Sequence, residues 1–161
     1  MAEAVPWMER FGRYFDSEVR GMDTLPEGGP LLLVANHSGG MLTPDTPAVM
    51  ASWYRHRGTG DALVGLGLDA AFGIPGFGKL LRKFGLVPAS RANAVRALRA
   101  GRSVLVYPGG AHEVFRPWGD RNRIDFGGHT GFIKLALAEG VPIVPVVGHG
   151  AHETMMVLSR G

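Results

Sequence analysis

The sequence predicts one α/β domain, because short apolar runs alternate with stretches in which apolar residues recur at helical spacing. The runs Leu31–Ala35 and Val141–Val147 have the length of strands. The 161 residues show no internal repeat or linker and are enough for one domain with its own core. The chain has 25 glycines, roughly twice the usual share, which indicates loops that turn tightly or approach a ligand closely.

The composition excludes some classes of site. The absence of cysteine excludes disulfides and thiolate metal sites, and it is typical of a reducing compartment. No apolar stretch reaches the roughly 18 residues that a membrane-spanning helix requires. The formal net charge of +3 suits acidic lipid headgroups, phosphorylated ligands or nucleic acid, and it equally suits a solvated basic surface.

An amphipathic helix is predicted within residues 1–16, with charged residues opposite its apolar face. Such a face either packs on the core or lies on a membrane surface, and both interpretations stay open. The apolar residues of this helix are Trp7, Met8, Phe11, Tyr14 and Phe15.

The other elements follow from turn and cap signals. Thr46 and Pro47 predict an N-cap and a first helical position for a helix that runs to about Arg57. Ser90 predicts the cap of another helix, and the prolines in the last strand place it at a sheet edge or a bulge. The remaining predicted strands are 62–66 and 104–107, and the remaining predicted helices are 76–84, 91–100 and 131–139.

Three predicted strands end in unusual loops, at positions 36–45, 108–113 and 148–153. In open α/β sheets, ligands bind outside the carboxyl ends of the strands. We therefore expect the site to lie around His37 and the loop Pro108–Glu113.

A histidine at a strand end can accept a proton near neutral pH. A carboxylate on its second ring nitrogen would fix the tautomer and stabilise the charged ring, and Asp45 is the candidate for that role. The alternative is that Asp45 only caps the following helix and that His37 is a loop residue bonded to the backbone.

Two further features suit anionic groups. Gly109 and Gly110 follow a strand and could expose backbone N–H groups to a phosphate or an oxyanion, or could simply form a tight turn. Arg91 stands at a helix start, where the helix dipole disfavours it, so it either holds a phosphate or carboxylate or is a solvated surface residue. His149, His152 and Glu153 make only a weak metal pattern.

Four sequence blocks, in order over roughly residues 17–150, resemble the lysophospholipid and glycerolipid acyltransferase superfamily. The chain is similar to the 1-acylglycerol-3-phosphate acyltransferases and closest to the diacylglycerol acyltransferase-like branch. That branch has a Pro-Gly-Gly third block followed by an acidic residue. The blocks are Asn36-His37 with Asp45-Thr46-Pro47, Gly85–Arg91, Tyr107–Gly110 with Glu113, and Val141–Val146.

The resemblance implies an O-acyltransferase with a mixed, largely parallel sheet flanked by helices. Such an enzyme moves a fatty acyl group from acyl-CoA or acyl carrier protein to a hydroxyl of a glycerolipid or lysophospholipid. It implies His37 as general base and Asp45 as its support. It implies no metal and no cofactor beyond the thioester co-substrate. The substrate-binding residues that it implies are Asn36, Ser38, Gly39, Gly40, Arg91, Pro108, Gly109, Gly110 and Glu113.

The resemblance also implies a lipid acceptor and a membrane surface on the cytoplasmic side as partners, and no nucleic acid.

The chain departs from the family pattern in its spacing, in its third block and in its length. Seven residues, rather than four, separate His37 from Asp45, and Gly109 replaces the usual Glu of the third block. Residues 1–161 are expected to form a single acyltransferase domain from which the C-terminal part of the family domain is absent. The alternatives are an inactive lipid-binding module and a metal-dependent hydrolase using His37, His149 and His152.

Overall fold

The computed structural model describes residues 1–40 and 42–159. It shows an α/β fold built on a five-stranded sheet in the order β3-β2-β4-β1-β5. All the strand pairs are parallel, so the predicted fold class is confirmed and the sheet is parallel throughout rather than mixed. The strands are β1 Leu32–Ala35, β2 Leu63–Gly67, β3 Leu86–Pro88, β4 Ser103–Val106 and β5 Ile143–Val146.

Helices connect the strands and cover both faces of the sheet. The α-helices are α1 Val5–Tyr14, α2 Asp45–Arg57, α3 Asp69–Phe72, α4 Phe77–Lys83, α5 Arg91–Arg99, α6 Gly110–Val114 and α7 Gly131–Glu139. Among the described residues, short 3-10 helices span Met22–Thr24, Trp118–Asp120 and Ala151–Thr154. None of the helices in the described parts of the chain is long and apolar enough to cross a membrane.

The central strand β1 is buried on both faces, because successive side chains point to opposite sides of a strand. Leu33 packs with Met50 and Trp53 in a core beneath α1 and α2. Leu32 packs with Leu135 in a second core beneath α5 and α7. A strand buried on both faces reads as a continuous apolar run, which is why β1 is visible in the sequence.

The N-terminal helix packs on the protein. Met8 and Gly12 are buried against α2, and Arg55 of α2 donates to Glu9 at 2.9 Å. Trp7 and Tyr14 remain exposed. Of the two interpretations of this helix, the structure shows the packed one, and the helix begins at Val5 rather than at the chain start.

Two cap predictions have different outcomes. Ser90 caps α5 as predicted, since its Oγ accepts a hydrogen bond from the Asn93 backbone N–H at 3.1 Å. The N-cap prediction for Thr46 is wrong, because α2 already begins at Asp45 and Thr46 lies in its first turn. The placement of β5 at a sheet edge is confirmed.

Candidate active site

Strands β4, β1 and β5 are neighbours in the sheet and run in the same direction. Their carboxyl ends therefore lie side by side. The three loops singled out in the sequence follow these strands, so the structure brings them together at one edge of the sheet.

Asp45 reaches the ring of His37 across the long loop. Its Oδ2 lies 2.9 Å from His37 Nδ1 and accepts the Ser38 backbone N–H at 3.1 Å. Its Oδ1 accepts the Thr46 backbone N–H at 2.7 Å. An ionised carboxylate only accepts hydrogen bonds, so Nδ1 carries a proton and Nε2 of the neutral ring keeps a free lone pair. Because Asp45 is the first residue of α2, the helix dipole also stabilises its negative charge.

Glycines allow this loop to fold back. Gly39 has φ 91°, and a Cβ there would lie 2.8 Å from Pro44 Cδ and 3.0 Å from the Ala151 carbonyl oxygen. Gly40 has φ 57°, and a Cβ there would overlap the side chain of Met155. Both positions thus require glycine for backbone conformation and packing. Their expected contact with substrate stays a prediction.

Tyr107 forms a wall beside His37. The two rings stack with centroids 4.0 Å apart and planes inclined by 24°. The Tyr107 hydroxyl accepts a hydrogen bond from Thr46 Oγ1 at 3.0 Å, which ties the end of β4 to the start of α2. Burial, with the nearby Asp45 charge, raises the pKa of Tyr107 well above its usual value, so the phenol stays protonated.

Glu113 lies behind His37, with no exposed surface. Its Oε2 accepts the His37 backbone N–H at 3.1 Å. Its Oε1 accepts the Asp125 backbone N–H at 3.1 Å and Arg116 Nη1 at 3.3 Å. Both carboxylate oxygens thus accept protein donors and anchor the backbone of the candidate base, and the substrate contact expected of Glu113 stays a prediction.

Arg116 extends this buried network to the third loop. Its Nη2 lies 2.9 Å from His152 Nε2. A guanidinium only donates, so Nε2 accepts and the proton of the neutral imidazole sits on Nδ1. Burial and the Arg116 charge both lower the pKa of His152, which favours this neutral form. Arg116 Nε and Ser38 Oγ are the buried side-chain polar atoms without a hydrogen-bond partner in the part of the chain described.

Asn36 is also structural. Its side chain donates to the Gly148 carbonyl oxygen at 2.8 Å and accepts the Gly148 backbone N–H at 2.7 Å. This pair of hydrogen bonds joins the ends of β1 and β5 and engages both the NH₂ group and the oxygen of the side-chain amide. The substrate-binding role expected of Asn36 is therefore not supported by its contacts.

The expected glycine cradle is only partly present. The Gly110 backbone N–H donates to the Tyr107 carbonyl oxygen at 3.1 Å, so it is not available to an oxyanion. A Cβ at Gly109 would overlap the side chain of Glu113, so glycine at this position leaves room for the buried carboxylate. Pro108 lies in the turn between β4 and these glycines.

Arg91 follows the carboxyl end of a strand, as His37 does, but at the far end of the row of strands. It follows β3, and strands β2 and β4 separate β3 from β1, a distance of about 14 Å at 4.8 Å per strand. Arg91 is exposed at the first turn of α5. The anionic part of the substrate that Arg91 is predicted to hold would therefore lie away from the His37 ring.

An open cavity of about 200 Å³ lies between the first and third loops. Its lining residues include Ser38, which follows His37 in the chain, together with Arg121, Asn122, His149 and Glu153. Within residues 1–40 and 42–159, no group of three or more His, Cys, Asp or Glu side chains is placed to hold a metal ion. The alternative in which His37, His149 and His152 bind a metal ion is also disfavoured, because His152 Nε2 already accepts a hydrogen bond from Arg116.

Residues 16–148 match the model of the family described as Acyltransferase. The chain belongs to the Acyltransferase family. It is 33% identical over 149 residues to an uncharacterized protein of Mycobacterium leprae, covering 92% of the chain and 40% of that protein. It is 32% identical over 136 residues to the "DGAT1/2-independent enzyme synthesizing storage lipids" of Bos taurus, covering 84% of the chain and 39% of that enzyme.

The chain is also similar to "Phytyl ester synthase 1, chloroplastic" of Arabidopsis thaliana. The two are 28% identical over 130 residues, which cover 79% of the chain and 18% of that protein. The chain thus spans about two fifths of the length of the first two of these relatives. No solved structure matches the chain significantly.

For this Acyltransferase chain, sequence reasoning missed the roles of Tyr107, Arg116, Asp125 and His152 at the site. Tyr107 carried a usable signal, because it directly precedes the Pro-Gly-Gly block. Arg116 and His152 carried none, since their contact joins residues 36 positions apart.

Proposed function

We propose that the chain transfers a fatty acyl group from an acyl thioester to a hydroxyl of a lipid acceptor, with His37 as general base. The observation that carries the proposal is the hydrogen bond between His37 Nδ1 and Asp45. It leaves Nε2 as the proton acceptor. A base placed within reach of the acceptor hydroxyl contributes on the order of 10² to 10⁴ in rate.

In the proposed reaction, Nε2 takes the proton of the acceptor hydroxyl while its oxygen attacks the thioester carbonyl carbon. Asp45 stabilises the resulting imidazolium. Collapse of the tetrahedral intermediate breaks the carbon–sulfur bond, and the imidazolium returns its proton to the departing sulfur. The products are an ester and a free thiol, and no cofactor is needed.

The developing oxyanion needs a hydrogen-bond donor. Gly110 has its backbone N–H engaged within the turn. Ser38 lines the cavity and follows His37 in the chain, and its buried hydroxyl has no partner among the described residues, so we propose that it donates to the oxyanion once the thioester carbonyl reaches it. The Gly109 backbone N–H remains a second candidate donor from the expected cradle.

The printed names of two relatives, a storage-lipid-synthesising enzyme and a phytyl ester synthase, support a lipid acceptor. The donor is an acyl-CoA or an acyl carrier protein thioester. We propose that residues 1–161 act as one acyltransferase domain on the cytoplasmic face of a membrane, because such acceptors reside in bilayers.

The test is a thiol-release assay with long-chain acyl-CoA and a panel of lysophospholipids, monoacylglycerol and diacylglycerol, with the ester product identified by mass spectrometry. Wild type should form ester and His37→Ala should lose on the order of 10² to 10⁴ in turnover. His56→Ala is the matched control, because His56 is exposed at the far end of α2, about 16 Å along the helix from Asp45. Equal turnover in His37→Ala would refute the proposal, and lipid binding without ester formation would support the inactive lipid-binding module instead.

A further inference from the structure

The connection between β2 and β3 exposes an unusual number of large apolar side chains. Single exposed apolar residues are common on soluble proteins. Here four occur within thirteen residues, and α3 and α4 together bury only Gly78. Their exposed fractions are 68% for Leu68, 54% for Ile74, 44% for Phe77 and 46% for Leu80.

The same connection carries exposed positive charge. Lys79, Arg82 and Lys83 lie on α4, whereas Asp69 is the one acidic residue in the sequence from 68 to 83. Within the described parts of the chain, none of the three cations has a carboxylate partner in a salt bridge. Some exposed arginines elsewhere have such a partner, as Arg99 has in Glu139 at 2.8 Å, whereas Arg10 and Arg13 of α1 have none among the described residues. This combination of apolar side chains and uncompensated cations complements a bilayer surface that carries anionic headgroups.

The position of the connection also fits a lipid surface. It begins at the carboxyl end of β2, which only β4 separates from β1 and His37. Two strand spacings amount to about 10 Å. A bilayer that contacts Leu68 would therefore lie beside the sheet edge that holds the candidate base.

We propose that residues 68–83, here called the 68–83 surface, dock the protein on membranes that contain anionic lipids. The apolar side chains enter the interfacial region and the lysines of α4 contact lipid phosphates. The inference rests on the proposed function, since it names the surface through which that site meets a lipid acceptor. The apolar face of α1 that carries Met8 packs on α2, and only Trp7 and Tyr14 of its apolar residues are largely exposed.

The first test is co-sedimentation of the full chain with phosphatidylcholine vesicles, with and without phosphatidylglycerol. Wild type should bind the anionic vesicles more tightly, and added salt should weaken that preference. Lys79→Gln/Lys83→Gln should weaken binding to anionic vesicles by up to about 25-fold, because each cation near such a surface contributes about fivefold. Leu68→Ser/Ile74→Ser should weaken binding to both kinds of vesicle.

The matched control is Lys134→Gln/Leu137→Ser on α7. Both residues are exposed, Leu137 by 79%, and α7 covers the opposite face of the sheet. This variant should bind as wild type does. The proposal is overturned if the control loses as much binding as the variants of the 68–83 surface, or if those variants bind as wild type does.

The absence of cysteine allows a second, local measurement. An environment-sensitive dye on Ile74→Cys should shift to the blue on anionic vesicles, whereas the same dye on Leu137→Cys should not. A blue shift at Ile74→Cys that appears on self-association without vesicles would overturn the lipid assignment in favour of a second copy of the chain. Both measurements are independent of turnover, so a chain that docks but forms no ester refutes only the proposed function. A chain that forms ester with His37 but does not dock refutes only this inference.

Discussion

The buried pair of Glu113 and Arg116 offers a sharp test of how the site is held together. Glu113 has no exposed surface and Arg116 is 2% exposed, so Glu113→Gln would leave a buried guanidinium without its acid partner. Breaking a buried ion pair from one side costs about 3–5 kcal/mol. The glutamine NH₂ would also face the backbone N–H of either His37 or Asp125, since the carboxylate accepts on both oxygens. We therefore expect the free energy of unfolding to fall by at least about 3 kcal/mol.

The assay is urea denaturation followed by circular dichroism, with Glu153→Gln as the control. Glu153 is an exposed carboxylate in the same cluster of loops, and its substitution should change the free energy of unfolding by less than about 0.5 kcal/mol. The double variant Glu113→Gln/Arg116→Gln should recover part of the loss, because it leaves no uncompensated buried charge. If Glu113→Gln unfolds at the same urea concentration as Glu153→Gln, the reasoning about this network is wrong.

Three further predictions concern other parts of the chain. Gly39→Ala should destabilise the protein by about 1–3 kcal/mol and reduce turnover, since the residue has φ 91° and its Cβ would lie 2.8 Å from Pro44 Cδ. Burial and Arg116 lower the pKa of His152 in the folded state, so the unfolded chain binds more protons than the folded chain as the pH falls below 6.5. The free energy of unfolding should therefore fall as the pH falls through that range, and His152→Gln should remove this part of the pH dependence. Ser90→Ala should cost about 1 kcal/mol of stability through loss of the α5 cap, measured by urea denaturation, and should leave turnover unchanged.

Each of these has a contrary outcome. Gly60→Ala, at a position with open space around its Cβ, is the control for the loop glycine, and equal effects at both positions would contradict the packing argument. An unchanged pH dependence in His152→Gln would show that another group dominates acid destabilisation. A fall in turnover in folded Ser90→Ala would mean that α5 contributes to the site beyond its stability.

The sequence was sufficient for the parts of the fold that have local signals. β1 is a continuous apolar run, and its glycine-rich end places His37 at a strand terminus. Parallel strands bring their carboxyl ends to one edge, so the meeting of the three loops could be predicted without coordinates. The short strand β3 and the helix that begins at Gly110 have no comparable periodicity, and neither was predicted.

The roles of individual polar residues were less accessible, because they depend on contacts between distant parts of the chain. Asn36 pairs with Gly148 and Glu113 anchors the backbone of His37, over separations of 112 and 76 residues. Thr46 looked like a helix cap, yet Asp45 satisfies its N–H while also holding the His37 ring. The sequence indicated which residues cluster, but the division between substrate contact and structural support required the hydrogen-bond network.

The most direct measurement of the central claim is a double-mutant cycle on kcat/KM for thiol release, with His37→Ala, Asp45→Asn and the double variant, each shown to be folded. Asp45 acts only through the imidazole in this account, and residues that act as one unit have non-additive effects. The account predicts that the double variant is no slower than His37→Ala and that Asp45→Asn alone loses most of the activity, because its amide no longer fixes the correct tautomer. Losses that multiply in the double variant, or full activity in Asp45→Asn, would contradict it.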